Sequence, residues 1–155
     1  MAGIKDKIYN LLPFPVQNLA ISAFGYFWKK RRFGGIFKDE LQRSKERDSF
    51  DLSEWDEYQK EQLRKVVKWA FETVPYYKES FKAAKLSASD IQNLEIQQLN
   101  KIPFLHKDDL RKYGKTTLLS DTLEPGGEFF ATSGSTGTPS SILYSPAMHQ
   151  RWNAI

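Results

Sequence analysis

The sequence predicts an α/β chain, mostly helical, with a few strands near its C-terminal end. Three observations carry that expectation. Apolar residues recur at helical spacing in successive windows as far as Tyr113. Pro75, Pro103 and Gly114 punctuate those windows with helix-breaking chemistry. Short aromatic and aliphatic runs suited to strands, Phe129-Phe130 and Ile142-Leu143-Tyr144, stand only in the last quarter, on either side of a Gly/Ser/Thr loop. So small a sheet has unpaired edges and is a poor end to an α/β domain, so the piece is expected to be incomplete.

Residues 1–52 form an amphipathic and charged N-terminal region. Leu11–Trp28 is the most apolar window, but Pro13, Pro15, Gln17, Asn18 and Ser22 interrupt it, which argues against a membrane span. From Val16 onward Leu19, Ala20, Ala23, Phe24 and Phe27 recur at helical spacing while Gln17, Asn18, Ser22 and Lys29 lie elsewhere on the wheel, which predicts an amphipathic helix. Lys29–Arg32 complement the dipole at its C-terminal end, and Gly34-Gly35 provide the stop. That role accounts for the basic cluster; membrane-surface contact is permitted by the same residues but not favoured. No small-residue cleavage pattern marks a signal peptide. Phe37–Asp51 is highly charged and reads as a short helix with an exposed connection.

Residues 53–120 form a helical region. Ser53 before Glu54, Trp55 and Asp56 predicts a capped start for a long helix. Trp55, Tyr58, Leu63, Val66, Val67, Ala70, Phe71 and Val74 give it an apolar stripe, and Pro75 ends or breaks it. Tyr76 and Tyr77 open a shorter helical segment with Phe81 and Leu86, and are read as packing anchors rather than pocket walls. Ser89-Asp90 is expected to cap a further helix running through Leu99. His106–Tyr113 is a short helix closed by Gly114; its adjacent Asp108 and Asp109 diverge by roughly 100° and do not make an acid/base dyad. Thr116–Ser120 is expected to be extended.

Residues 121–155 read as strand, phosphate loop, strand and helix. Glu124-Pro-Gly-Gly127 is a turn, and Ser145-Pro146 starts the last helix through Met148, Arg151 and Trp152.

Composition narrows the chemistry. At 155 residues with 40% hydrophobic and 14% aromatic content the chain can bury a real core. It has no cysteine, so disulfides, thiolate catalysis and cysteine-bound metals are excluded, and a cytoplasmic location is the expectation. His106 and His149 stand too far apart in sequence to suggest a zinc site, and no metal ligand is assigned. The net charge is +4, but bases and acids alternate outside Lys29–Arg32 and no nucleic-acid motif accompanies them, so nucleic acid is not an expected partner.

The chemistry concentrates at Thr132–Thr138, where every residue is glycine or carries a hydroxyl. None of these side chains can fill a core. Gly134 and Gly137 allow positive φ and close backbone approach, so successive N–H groups can face one concavity. Thr132, Ser133, Ser135, Thr136 and Thr138 add rotating hydroxyl donors, and Pro139 stiffens the exit. That combination predicts a polyphosphate ligand. A flexible linker has the same composition, but the flanking strands at close range place this run inside one sheet. The common G-x-x-x-x-G-K-[ST] nucleotide loop is absent.

Thr132–Pro139, read TSGSTGTP, resembles the phosphate-binding loop of the adenylate-forming enzymes, the acyl-CoA synthetase superfamily. Ser140, where many members carry lysine, is similar to the branch of the phenylacetate–CoA ligases and their relatives of capsular polysaccharide biosynthesis. Leu12–Asn18 with Arg31–Gly35, Val74–Lys78 and Ile102–Lys107 fit the same branch. The resemblance implies that residues 1–155 are the incomplete N-terminal part of a large nucleotide-binding domain. It implies ATP, Mg2+ and CoA as cofactors of the complete enzyme and a carboxylic acid as substrate. In that scheme Thr132, Ser133, Gly134, Ser135, Thr136, Gly137 and Thr138 hold the β- and γ-phosphates. Family stretches for adenine, ribose, magnesium and the assisting lysine are missing from this sequence, so no catalytic residue is assigned and inactivity alone is expected, pending a C-terminal part or a partner subunit. The alternative is a non-catalytic subunit, or a peripheral membrane-associated protein, of surface polysaccharide biosynthesis.

Overall fold

The computed structural model describes residues 9–132 and 139–155. The described helices are α1 (Phe14–Phe33), α2 (Phe37–Arg47), α3 (Leu52–Thr73), α4 (Pro75–Ala83), α5 (Ala88–Gln92), α6 (Lys107–Tyr113) and α7 (Pro146–Trp152), with a 3-10 helix at Ile96–Lys101. Two strands, β1 (Glu128–Ala131) and β2 (Ser141–Tyr144), pair antiparallel. The chain divides into one unit of the N-terminal residues through Ser44 with Pro146–Ile155, and another of Lys45–Ser145.

In the first unit, α1 starts with proline in its first turn and ends with Lys30, Arg31 and Arg32. Gly34 N–H donates to Lys30 O at 2.9 Å, and Gly35 takes φ +49°, where a side chain would be strained and would also meet Gln150. Gln150, on α7, is buried and clamps this exit. Its Oε1 accepts from Ile36 N–H at 3.0 Å and its Nε2 donates to Arg31 O at 3.1 Å. Trp28 lies 6.0 Å from the His149 ring, centroid to centroid, and takes the Arg32 guanidinium at 4.9 Å. The helix forms where the spacing predicts one, but no residue of α1 is buried among the described residues, and exposed Phe14 and Ile21 lie off the Val16–Phe27 side, so its apolar residues are not confined to one face.

In the second unit, the start of α3 corrects the expected Ser53 cap. Asp51 is the N-cap: its carboxylate accepts from Glu54 N–H, and Glu54 accepts from Asp51 N–H, both at 2.8 Å. This reciprocal box satisfies two donors at once and draws the start two residues earlier. At the other end Val74 is extended and Pro75 becomes the first residue of α4, where its missing N–H costs nothing. The chain turns there, and α4 packs Phe81 against α3. Val67, Phe81, Ile91 and Leu94 form the core, with Leu63, Phe71, Tyr77, Leu86 and Ile102 packed on it.

Two further expectations fail for physical reasons. The helix expected from Ser89 through Leu99 starts after Ser87, whose hydroxyl and N–H form a capping box with Asp90, and stops at Gln92. Leu94 is then buried and its carbonyl accepts from Arg64 Nε at 2.9 Å, while Glu95 pairs with Arg64, so the backbone leaves the helix to serve α3. Thr116–Ser120 is not extended: Leu119 N–H donates to Thr116 O at 3.0 Å in a turn. This turn braces the α3/α4 break. Tyr76 N–H, an orphan donor at the start of α4, reaches Thr117 O at 2.9 Å, and Asp121 N–H reaches Thr73 O at 2.7 Å.

The tyrosines anchor packing as read: Tyr77 lies 5.5 Å from Phe81, ring to ring, and Tyr76 donates to Asp109 Oδ2 at 2.9 Å. Asp108 instead pairs with Arg111 at 3.0 Å, so the two carboxylates have separate partners. The described residues are thus mostly helical with one small antiparallel sheet; no parallel pairing occurs among them.

Candidate functional site: the neck of a hydroxyl-rich loop

The candidate site is carried by the β1–β2 hairpin. Its entry is the turn at Pro125-Gly126, where Gly126 takes φ +82°. Gly127 follows against Leu143; a Cβ there would lie 3.0 Å from Leu143 Cδ1. The register pairs Glu128 with Tyr144, Phe129 with Leu143, Phe130 with Ile142 and Ala131 with Ser141. Phe130 and Tyr144 meet edge to face at 5.2 Å, a cross-strand contact that helps hold the register, and Lys115 Nζ lies 5.4 Å over the Phe129 ring. Gly114, read from sequence only as a helix stop, also lets the Ser141 carbonyl approach: a Cβ on it would stand 3.2 Å from that oxygen.

Beyond the ladder the two strands are tied once more. Thr132 N–H donates to Ser140 O at 2.9 Å, and Ser140 N–H donates to Thr132 Oγ1 at 3.1 Å. The Thr132 hydroxyl therefore takes the place of a backbone acceptor and closes the neck of the loop. Of the predicted site residues Thr132 is described; Ser133, Gly134, Ser135, Thr136, Gly137 and Thr138 lie outside the described residues. Ser140 is 3% exposed, and its hydroxyl has no hydrogen-bond partner among the described residues. Its burial had no sequence signal beyond its departure from the lysine of related loops.

Displaced titrations lie on the helices rather than the hairpin. Burial, and then the hydrogen bond to Asp109, raises the Tyr76 pKa; burial alone raises Tyr77. Hydrogen bonds from Ser87 lower Asp90, and a hydrogen bond with Tyr113 raises Lys112. No group of three or more His, Cys, Asp or Glu side chains converges to hold a metal among the described residues. An open depression of about 650 Å³, lined by Phe71, Lys78, Lys82 and Leu86 among others, contains none of the predicted site residues. No helix of the described residues is long and apolar enough to cross a membrane.

The chain is 33% identical over 86 residues to phenylacetate-coenzyme A ligase of Thermus thermophilus, covering 56% of this chain and 19% of that protein. It is 29% identical over 108 residues to phenylacetate-coenzyme A ligase of Escherichia coli, covering 70% of this chain and 24% of that protein. It is also 29% identical over 108 residues to protein CapK of Staphylococcus aureus, covering 69% of this chain and 22% of that protein. No protein-family model matches the chain. This chain is thus similar to phenylacetate-coenzyme A ligases and to CapK, and spans about a fifth of the length of the curated relatives it matches.

Proposed function

We propose that this chain supplies the phosphate-holding loop of an ATP-dependent, AMP-forming carboxylate–CoA ligase, within the N-terminal part of its nucleotide-binding domain. The observation that carries the reading is the hairpin neck at Thr132 and Ser140, which closes the ends of an all-glycine-and-hydroxyl run in a relative of phenylacetate-coenzyme A ligases.

In the reaction a carboxylate oxygen attacks the α-phosphorus of ATP, pyrophosphate leaves, and a CoA thiol then displaces AMP from the acyl-adenylate. The acid is already ionised at neutral pH, so this first attack needs no general base. The part of this chain is electrostatic. The Thr132 hydroxyl, and the hydroxyls and N–H groups of Ser133, Ser135, Thr136 and Thr138, hold the β- and γ-phosphates and stabilise the departing charge, while Gly134 and Gly137 let the backbone approach. Magnesium supplies further charge neutralisation when bound. The described residues offer it no cluster of ligands, and none is assigned.

A second reading keeps the loop and removes the catalysis: a non-catalytic subunit of surface polysaccharide biosynthesis. The likeness to CapK favours it.

The test is ATP-dependent pyrophosphate release with a panel of aryl and short acyl acids, by this chain and by a longer polypeptide carrying it. The expected result is release by the longer protein, none by this chain alone, and loss on Gly134→Val and on the gentler Ser135→Ala/Thr136→Ala pair. ATP binding without release by a folded longer protein, across the panel, moves the assignment to the second reading. Absence of ATP binding overturns both.

A further inference from the structure

The first helix presents a chemistry that the phosphate loop does not use. Leu19 is 71% exposed, Phe24 and Phe27 67%, and Tyr26 64%, and α1 buries none of its 20 residues. Such exposure in one helix calls for a cover. Val16, Ala20, Ala23 and Phe27 advance by three or four residues along one side of α1, and Asn18, Ser22, Gly25 and Lys29 run along the opposite side. Leu19 and Tyr26 flank the first row. The side bearing Trp28 meets α7 through His149, roughly 100° around the helix from the Val16–Phe27 row.

Charge is segregated with the same segment. Between Asp6 and Asp39 the sequence carries Lys7, Lys29, Lys30, Arg31, Arg32 and Lys38 and no carboxylate. Residues 39–155 hold 16 lysines and arginines against 18 carboxylates, a charge of −2, whereas the first 38 residues hold seven bases against one acid, a charge of +6 within the chain's net +4. Lys29 and Lys30 are exposed, and Lys30 follows Phe27 on the apolar side, where a long stem can keep its ammonium clear of an apolar phase.

We propose that α1 docks in the plane of an anionic lipid surface, with Val16, Leu19, Ala23, Tyr26 and Phe27 seated at the acyl boundary and Lys29 and Lys30 at the headgroups. Two features select lipid. The segment is rich in aromatics, basic at one end and without an acid, which is the composition of an interfacial helix. At 20 residues it extends about 30 Å along the surface, yet it is not apolar enough to cross.

The experiment is flotation of the 155-residue chain with phosphatidylcholine vesicles, with and without phosphatidylserine, at low and high salt. Binding is expected only with phosphatidylserine and is expected to weaken with salt. Lys29→Glu/Lys30→Glu should lower the partition coefficient by at least about tenfold, from the attraction of each cation to an anionic surface. Leu19→Ser/Phe27→Ser should lower it similarly through lost apolar contact. Both pairs change exposed side chains, and far-UV circular dichroism checks that helix content is retained. No flotation, or flotation equal on phosphatidylcholine alone and indifferent to the charge reversal, overturns the proposal. So does a longer polypeptide that fails to float while this chain does, since α1 would then be covered by protein.

Discussion

Two helices of this chain treat the same residue type in opposite ways. α4 is nine residues long and buries Phe81 to 1% exposure between Phe71, which it stacks on at 6.2 Å, and Tyr77. α1 is 20 residues long, richer in apolar side chains, and leaves Phe27 67% exposed. Both show apolar residues at helical spacing, so spacing does not separate them. The difference is what lies opposite: α4 meets the stripe of α3 across the turn at Pro75, whereas α1 meets the short α7 along the side that bears Trp28. Periodicity says which side of a helix wants burial; only a partner supplies it.

Truncating one phenylalanine in each helix is the sharpest way to break that comparison. Phe81→Ala should destabilise the fold by about 3–5 kcal/mol, because it removes contacts and leaves a cavity. Phe27→Ala should cost within about 0.5 kcal/mol, as an exposed substitution does. Urea unfolding followed by far-UV circular dichroism measures both, and equal losses would show that α1 is covered in solution.

Gln150 tests the clamp at the end of α1. Gln150→Leu removes, at a buried position, the acceptor of Ile36 N–H and the donor to Arg31 O, for a cost of about 1–3 kcal/mol. Amide exchange should accelerate most at Ile36. If it rises equally in α4, the clamp supports more than the end of α1.

The smallest effect is a pH dependence inside the covered unit. Hydrogen bonds from Ser87 lower the Asp90 pKa on folding. Its contribution is therefore complete above the unfolded carboxylate value of about 4 and is lost as pH falls through the lowered folded value. Asp90→Asn should flatten that part of the acid limb in a stability-versus-pH series; an unchanged limb would mean the cap is as strong when Asp90 is protonated.

Much of this arrangement is legible along the chain because its causes are local. Pro75 divides α3 from α4 since a proline restricts the residue before it and tolerates a first helical turn. Gly34-Gly35 end α1 since Gly35 takes a positive φ. Phe129-Phe130 and Ile142–Tyr144 pair across the hydroxyl-rich run as read. Where the reading missed, a neighbour distant in sequence usually outbid the local preference: Arg64 drew Leu94 and Glu95 out of a helix, and the α3/α4 break drew residues 114–119 into a turn that supplies Thr117 O. The Ser53 cap was missed for a nearer reason, since Asp51 offers a better reciprocal partner to Glu54.

Sequence by itself determined the breaks at Pro75 and at Gly34-Gly35 and the composition of the hydroxyl-rich loop, all set by dihedral limits and side-chain chemistry within a few residues. Tertiary structure alone decided that Ser140 is buried beside Thr132 at the loop neck, that Gln150 clamps a turn 114 residues away, and that α4 is covered while α1 is not. Burial is a property of pairs of surfaces, and a single stretch of chain carries only one of the two.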